Sequence, residues 1–218
     1  MTPTLYSHPF ASFCQKVLIA LYENGTPFEH HLVDLGDPPA RESFLKLSPF
    51  GKMPALVDGG RVVTESSIII EYLDRRHPGP APMLPDDPDR ALEVRAKDRF
   101  YDLYVADPMQ KIVADRLRPE GADDPVGVEA ARATLRTAYD LIEAEMAGRP
   151  WAAGSAFSMA DCAAAPALFY ADWVEPIGVR RLNTGAYLAR LTARPSFARV
   201  IEDARPYRSL FPPPRPRA

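Results

Sequence analysis

The chain has 218 residues, with 26 Lys and Arg against 29 Asp and Glu and a formal net charge of −3. That balance makes no electrostatic case for nucleic acid or an anionic membrane, and no apolar run approaches the roughly 20 residues of a membrane span. Two cysteines, Cys14 and Cys162, form no disulfide framework, and nothing at the N-terminus reads as a signal peptide, so a reducing cytoplasm is the expected location.

Apolar content of 46% supplies ample core for one large domain or two smaller ones. Residues 2–6 predict a short strand. Residues 12–23 predict a helix, with Cys14, Val17, Leu18 and Leu21 at the spacing of a buried stripe and Asn24-Gly25 as its C-terminal cap. A second strand is expected over 28–33 and a short helix over 39–47. Residues 55–57 and 62–64 predict a hairpin across Asp58-Gly59-Gly60, and 65–75 a closing helix with Ser66, Ile69, Ile70 and Leu73 inward. This order is the thioredoxin arrangement: the first two strands parallel, the hairpin antiparallel, helices on both faces.

The 24 prolines are about twice the usual ~5%. One cluster, from Pro78 to Pro88, marks a stiff linker, and no strand signal of weight comes after it. Residues 89–118 carry a long helical pattern that Pro108 should kink or break. Residues 126–147 repeat a clean helix face. Ser158-Met159-Ala160-Asp161 is a capping box at the start of an alanine-rich, central helix. Two short helices, over 183–192 and 195–204, complete an all-helical bundle. The second proline cluster lies in a basic tail, 205–218, read as a frayed or surface-draped terminus. The expected organisation is therefore an α/β thioredoxin-like domain (1–78), a linker (79–88) and an all-α domain (89–218).

Residues 51–66 carry the most specific pattern, Gly-Lys-Met-Pro-Ala-Leu-Val followed by Thr-Glu-Ser. Pro54 cannot donate to a β-ladder, so it should open an edge strand. It also holds Met53 extended, with a cis bond credible between them. Met53 would then turn its N–H and C=O outward as a template for a peptide-like ligand. Glu65-Ser66 stands where a strand gives way to a helix, whose unpaired N–H groups suit a carboxylate. The two features describe a pocket for a small acidic peptide.

This arrangement resembles the glutathione site of the glutathione S-transferases, and the resemblance extends over essentially the whole chain. It implies that Met53, before Pro54, pairs with the cysteinyl backbone of glutathione, and that Glu65 and Ser66 hold the γ-glutamyl end. Lys52 would meet the glycyl carboxylate. In that family a hydroxyl or thiol at the start of the first helix stabilises the thiolate. Ser12 is the candidate here, with a backbone N–H as the alternative, because Ala11 occupies the position where the serine classes usually carry their hydroxyl. Serine is also a preferred N-cap, a role compatible with the first. Cys14 belongs to the buried stripe and is read as core. The Ser158–Asp161 box matches a folding element of the same family.

A hydrophobic electrophile is expected between the domains, in a pocket of Phe10, Phe13, Tyr101, Tyr104, Met109, Ile112, Phe169 and Trp173. Glutathione is the implied co-substrate and a homodimer the implied assembly. The four histidines show no metal-binding spacing. The expected activity is thiolate activation and conjugation. A glutathione-dependent isomerase or dehalogenase, or a non-catalytic glutathione-binding protein, are the alternatives.

Overall fold

A computed structural model describes residues 2–214. The first strand, β1 (Thr4–Ser7), runs into α1 (Ser12–Asn24), which returns the chain to β2 (Glu29–Leu32). A short helix, α2 (Pro38–Leu45), precedes the hairpin of β3 (Ala55–Asp58) and β4 (Arg61–Thr64), and α3 (Ser66–Arg76) comes next. The sheet order is β2-β1-β3-β4, parallel between β1 and β2 and antiparallel elsewhere.

Register sorts the side chains by face. Leu5 pairs with Leu56, and Leu56 with Val63, so all three point to the side covered by α1 and α3. Tyr6 and Ala55 are the opposite pair, and they pack with Phe44 of α2 and with Met53. The stripe predicted for α1 is buried, and Gly25 closes the helix at φ 62°. The expectation that Pro54 opens an edge strand is corrected: β3 lies inside the sheet, between β1 and β4. Pro54 stands one residue outside the ladder, which begins at Ala55, so its missing N–H costs no pairing.

The linker is packed rather than loose. Met83 and Leu84 are buried, the Met83 N–H donates to Asp74, and its carbonyl accepts the Met159 N–H. Helices α4 (Pro88–Tyr101), α5 (Asp107–Arg116), α6 (Pro125–Met146), α7 (Met159–Val174), α8 (Leu182–Thr192) and α9 (Pro195–Ala204) build the second domain. Alanine-rich α7 runs through its middle, and the capping box at Ser158 forms reciprocally. Asp161 does more than cap. Its carboxylate also accepts the Ala152 N–H at 2.8 Å and the Tyr187 hydroxyl at 2.6 Å, stapling α7 to the loop before it and to α8.

Pro108 neither kinks nor breaks its helix at the expected place. Instead a π-helical segment, Asp102–Ala106, sits between α4 and α5, and Pro108 falls in the first turn of α5. An N–H-free residue whose ring crowds the carbonyl four positions back is accommodated by a wider turn just upstream. Tyr101, just before the segment, lies in the core at 0% exposed, while Tyr104, within it, faces solvent at 52%.

Candidate active site

Two helix N-termini converge on one cleft. At the first, Ala11 is the N-cap of α1, with φ −86° and ψ 121° and no side chain able to cap. Ser12 is therefore the first helical residue, one position beyond the cap expected for it. The first intrahelical donors are Cys14 and Gln15, both bonding the Ala11 carbonyl, which leaves the Ser12 and Phe13 N–H groups at the cleft unpaired among the described residues. The Ser12 hydroxyl receives a long bond, 3.4 Å, from the Gln110 amide of α5. A hydroxyl and two free N–H groups at a positive dipole end suit an anionic sulfur.

Cys14 takes no part in this. It is fully buried, and desolvation pushes its thiol up to about 12, so it rests protonated in the core. Gln15 instead braces the turn: its side-chain amide donates to the Pro9 carbonyl and to the Tyr170 hydroxyl, each at 2.8 Å.

At the second N-terminus, Glu65 caps α3 with φ 68°, the one positive φ outside glycine among the described residues. A backbone held there against its preference is over-determined by its surroundings, a pattern common at ligand clamps. Helical bonding begins with Ile69, which donates to the Glu65 carbonyl, so the N–H groups of Ser66, Ser67 and Ile68 are free among the described residues. Between the two helices lies the Met53–Pro54 turn, whose peptide is cis. The Met53 N–H and carbonyl are unpaired within the described protein, while Ser48 fixes the turn by donating to the Lys52 carbonyl at 2.8 Å.

A buried lysine ties these pieces to the second domain. Lys16, 1% exposed, contacts Asp98 at 2.6 Å and Asp102 at 2.9 Å and donates to the Ser67 hydroxyl at 2.9 Å. Ser67 in turn donates to Asp98 at 2.6 Å. One ammonium serves two carboxylates here. Burial pushes the Asp102 carboxyl up from its ordinary range, against the pull of Lys16. Lys16 is not among the candidates read from the sequence; a lysine inside an apolar helical stripe was the signal that could have found it.

The cleft has a volume of about 780 Å³, within the range of ligand sites. It gathers Ser12, Lys52, Met53, Pro54, Glu65 and Ser66 on one wall, with Phe10, Phe13 and Met109 beside them. The remaining predicted pocket residues lie elsewhere. Tyr101 and Ile112 are core, and Tyr104 is turned to solvent by the π-helical segment. Phe169 packs on Phe197 of α9, and Trp173 stands one layer back, behind Phe211. Their places are taken by Tyr170 of α7, by Gln110, Val113 and Leu117 of α5 and its C-terminal end, and by Leu210, Phe211 and Pro212 of the tail. A stripe counted from Met109 would have found Val113 and Leu117; nothing in the sequence marks the tail.

Family models agree with this architecture. The glutathione S-transferase N-terminal domain model matches residues 5–81 and the C-terminal domain model matches residues 125–203. The chain belongs to the glutathione S-transferase family. Among curated relatives, it is 33% identical over 204 residues to glutathione S-transferase 3 of Zea mays, covering 90% of this chain and 92% of that one. It is 31% identical over 203 residues to the stringent starvation protein A homolog of Pasteurella multocida, covering 91% and 89%. A glutathione S-transferase from Methylobacillus flagellatus, solved with glutathione bound, superposes with a TM-score of 0.83 at 25% identity, over 91% of this chain and 98% of its own. A transferase fold is thus matched at both domains. No helix among the described residues is long and apolar enough to cross a membrane.

Proposed function

We propose that this protein binds glutathione in the cleft, activates its thiol as the thiolate, and conjugates it to a hydrophobic electrophile. The observation that carries this reading is the convergence of two helix N-termini and the open Met53 backbone on a single cleft. Glutathione has an anionic group at each end, a peptide middle and a thiol. Glu65, Ser66 and the free N–H groups of α3 would hold the γ-glutamyl end, its ammonium facing the Glu65 carboxylate. Met53 would pair with the cysteinyl backbone and Lys52 with the glycyl carboxylate. The sulfur would then lie at the start of α1.

An ordinary thiol titrates near ~8.5, so the site must favour the anion. Ser12 donates its hydroxyl to the sulfur while the dipole of α1 acts on the same atom. The proton leaves to solvent, and the thiolate attacks the electrophilic carbon, displacing its leaving group or adding to it. Residues 1–78 serve glutathione and residues 89–218 serve the electrophile, joined by 79–88. The protein works as a cytoplasmic homodimer, for which the exposed apolar side chains Phe50, Ile68, Leu103 and Tyr104 offer surface.

A second reading, a glutathione-binding protein without turnover, is favoured by one observation: the N-cap of α1 is Ala11, which has no hydroxyl to offer. A curated relative called stringent starvation protein A homolog, a name that states no transfer activity, is compatible with it. The Ser12→Ala variant separates the two. Under the catalytic reading it raises the pKa of enzyme-bound glutathione and slows conjugation at neutral pH, while calorimetric glutathione affinity changes little. A pH–rate profile that overlays the wild type removes Ser12 and leaves the backbone N–H groups as activators. A wild type that binds glutathione and turns over no electrophile establishes the second reading.

A further inference from the structure

The tail was expected to fray or drape over the surface, and over its described part it lies along the surface with its last turn set against the cleft. A 3-10 turn, Arg205–Leu210, carries the chain back from α9, and the next residue, Phe211, is partly buried against the core. Trp173 meets the Phe211 ring edge-on at 4.9 Å, with Tyr170 and Phe10 beyond at 6.4 and 6.5 Å. Arg116, the last residue of α5, donates to the Pro212 carbonyl at 3.0 Å and sets its guanidinium 5.6 Å from the centre of the Phe211 ring. At the other end, Tyr207 rests against His8 at 4.6 Å. The strap therefore touches α5, α7 and the β1–α1 turn, three of the elements that bound the cleft.

We infer that residues 205–212 select the electrophile, with Phe211 as the specificity-determining wall and Arg116 as the latch that holds it. This inference rests on the transferase reading. The strap is held largely through side chains, so it can be loosened without opening the core. Leu210, Phe211 and Pro212 line the cleft together with Met109, Val113 and Leu117, which makes that half apolar. The acids on the same wall are Asp102 and Asp107, and its one cation among the described residues, Arg99, stands 3.5 Å from Asp102. An anionic electrophile would meet Asp107 without a free cation on that wall to receive it. The ligand that fits is uncharged and carries a ring that packs against Phe10, Tyr170 and Phe211.

The test uses the full chain and two variants, Phe211→Ala and Arg116→Met. Three quantities are measured: KM for a chlorodinitrobenzene and for iodomethane, the affinity for neutral N-phenylnaphthylamine by fluorescence, and the glutathione Kd by calorimetry. Losing one aromatic wall should raise the aryl KM and weaken the naphthylamine about threefold to tenfold. The iodomethane KM and glutathione Kd should stay within about twofold, and Arg116→Met should act in the same direction with smaller size. Unchanged aryl KM and naphthylamine affinity in both variants overturn the inference, as does an equal loss of glutathione affinity. If the wild type conjugates nothing, the transferase reading fails, and the naphthylamine titration still decides whether the strap walls an apolar site. If Phe211→Ala does not fold, Arg116→Met decides the question by the same measurements.

Discussion

The two walls of the cleft are built by different kinds of instruction. The first-domain wall rests on short local devices: a proline beside an open backbone, and helix starts at Ser12 and Ser66. Each is written in a few adjacent residues, and each lines the cleft. The second-domain wall depends on how far a long helix has rotated by the time it reaches the cleft, and on a tail returning from more than ninety positions away, Pro212 to Arg116. A local device survives errors elsewhere in a reading of the chain. A rotational register does not, because one extra residue in a turn moves every later side chain around the helix.

The largest expected effect probes the joint between the walls. Replacing Lys16 by Met leaves Asp98 and Asp102 buried beside each other without their cation. Removing one partner of a buried pair costs about 3–5 kcal/mol, and in a chain of this size each kcal/mol moves the melting temperature about 2–4 °C. Thermal denaturation checks it. A melting point within about two degrees of the wild type would mean that the walls are not joined through this lysine.

The same contrast separates the legible residues from the hidden ones. The βαβ start, the hairpin, the closing helix and the all-helical second half come from periodicity and turn chemistry, which act over a handful of residues. The peptide-facing candidates Met53, Pro54, Glu65 and Ser66 came from the same kind of signal and share the cleft. Tyr101, Tyr104 and Ile112 failed for two causes. The face carrying Tyr101 and Ile112 turns into the core, and Tyr104 sits inside the π-helical segment Asp102–Ala106 and is turned to solvent. Phe169 and Trp173 flank the residue of α7 that does line the cleft, Tyr170. An aromatic run names the neighbourhood, and packing decides which ring faces in.

The first wall is sharpened by Ser66→Ala. Ser66 is nearly buried at the start of α3, beside three free N–H groups. If its hydroxyl donates to the γ-glutamyl carboxylate, losing a bond to a charged group should weaken glutathione by about 1.5–3 kcal/mol in calorimetry. Unchanged affinity would take Ser66 out of the site and leave the backbone of α3 as the whole anion clamp.

In the second domain, Ser158→Ala should affect stability alone. The residue lies in the capping box, bonded to Asp161 through its N–H at 2.9 Å and its hydroxyl at 3.1 Å. Loss of an N-cap costs roughly 0.5–2 kcal/mol, towards the upper end where Asp161 is left with fewer donors in a buried site. Turnover per folded molecule should hold. A fall in intrinsic rate with an unchanged melting point would give this capping box a role in the chemistry after all.

The smallest effect is a pH dependence on the first-domain side. Asp58, at the end of β3, accepts the Tyr72 hydroxyl at 3.0 Å and contacts His77 Nε2 at 2.7 Å, tying the hairpin to the C-terminal turns of α3. The bond to His77 comes first among the causes that hold its carboxyl below the ordinary range, with the Tyr72 hydroxyl adding to it against desolvation. A depressed carboxylate binds its proton more weakly folded than unfolded, so the contribution is fully present above the unfolded value near ~3.9 and is lost as pH falls through the folded value. Asp58→Asn should therefore be less stable than the wild type at neutral pH, and the two denaturation curves should approach each other as pH drops below about 4. Because Asp58, Tyr72 and His77 do not line the cleft, glutathione affinity and electrophile choice should not move with the substitution. A stability gap that stays constant from about pH 7 down to about pH 3 would show that the cluster acts through packing and not through the charge on Asp58.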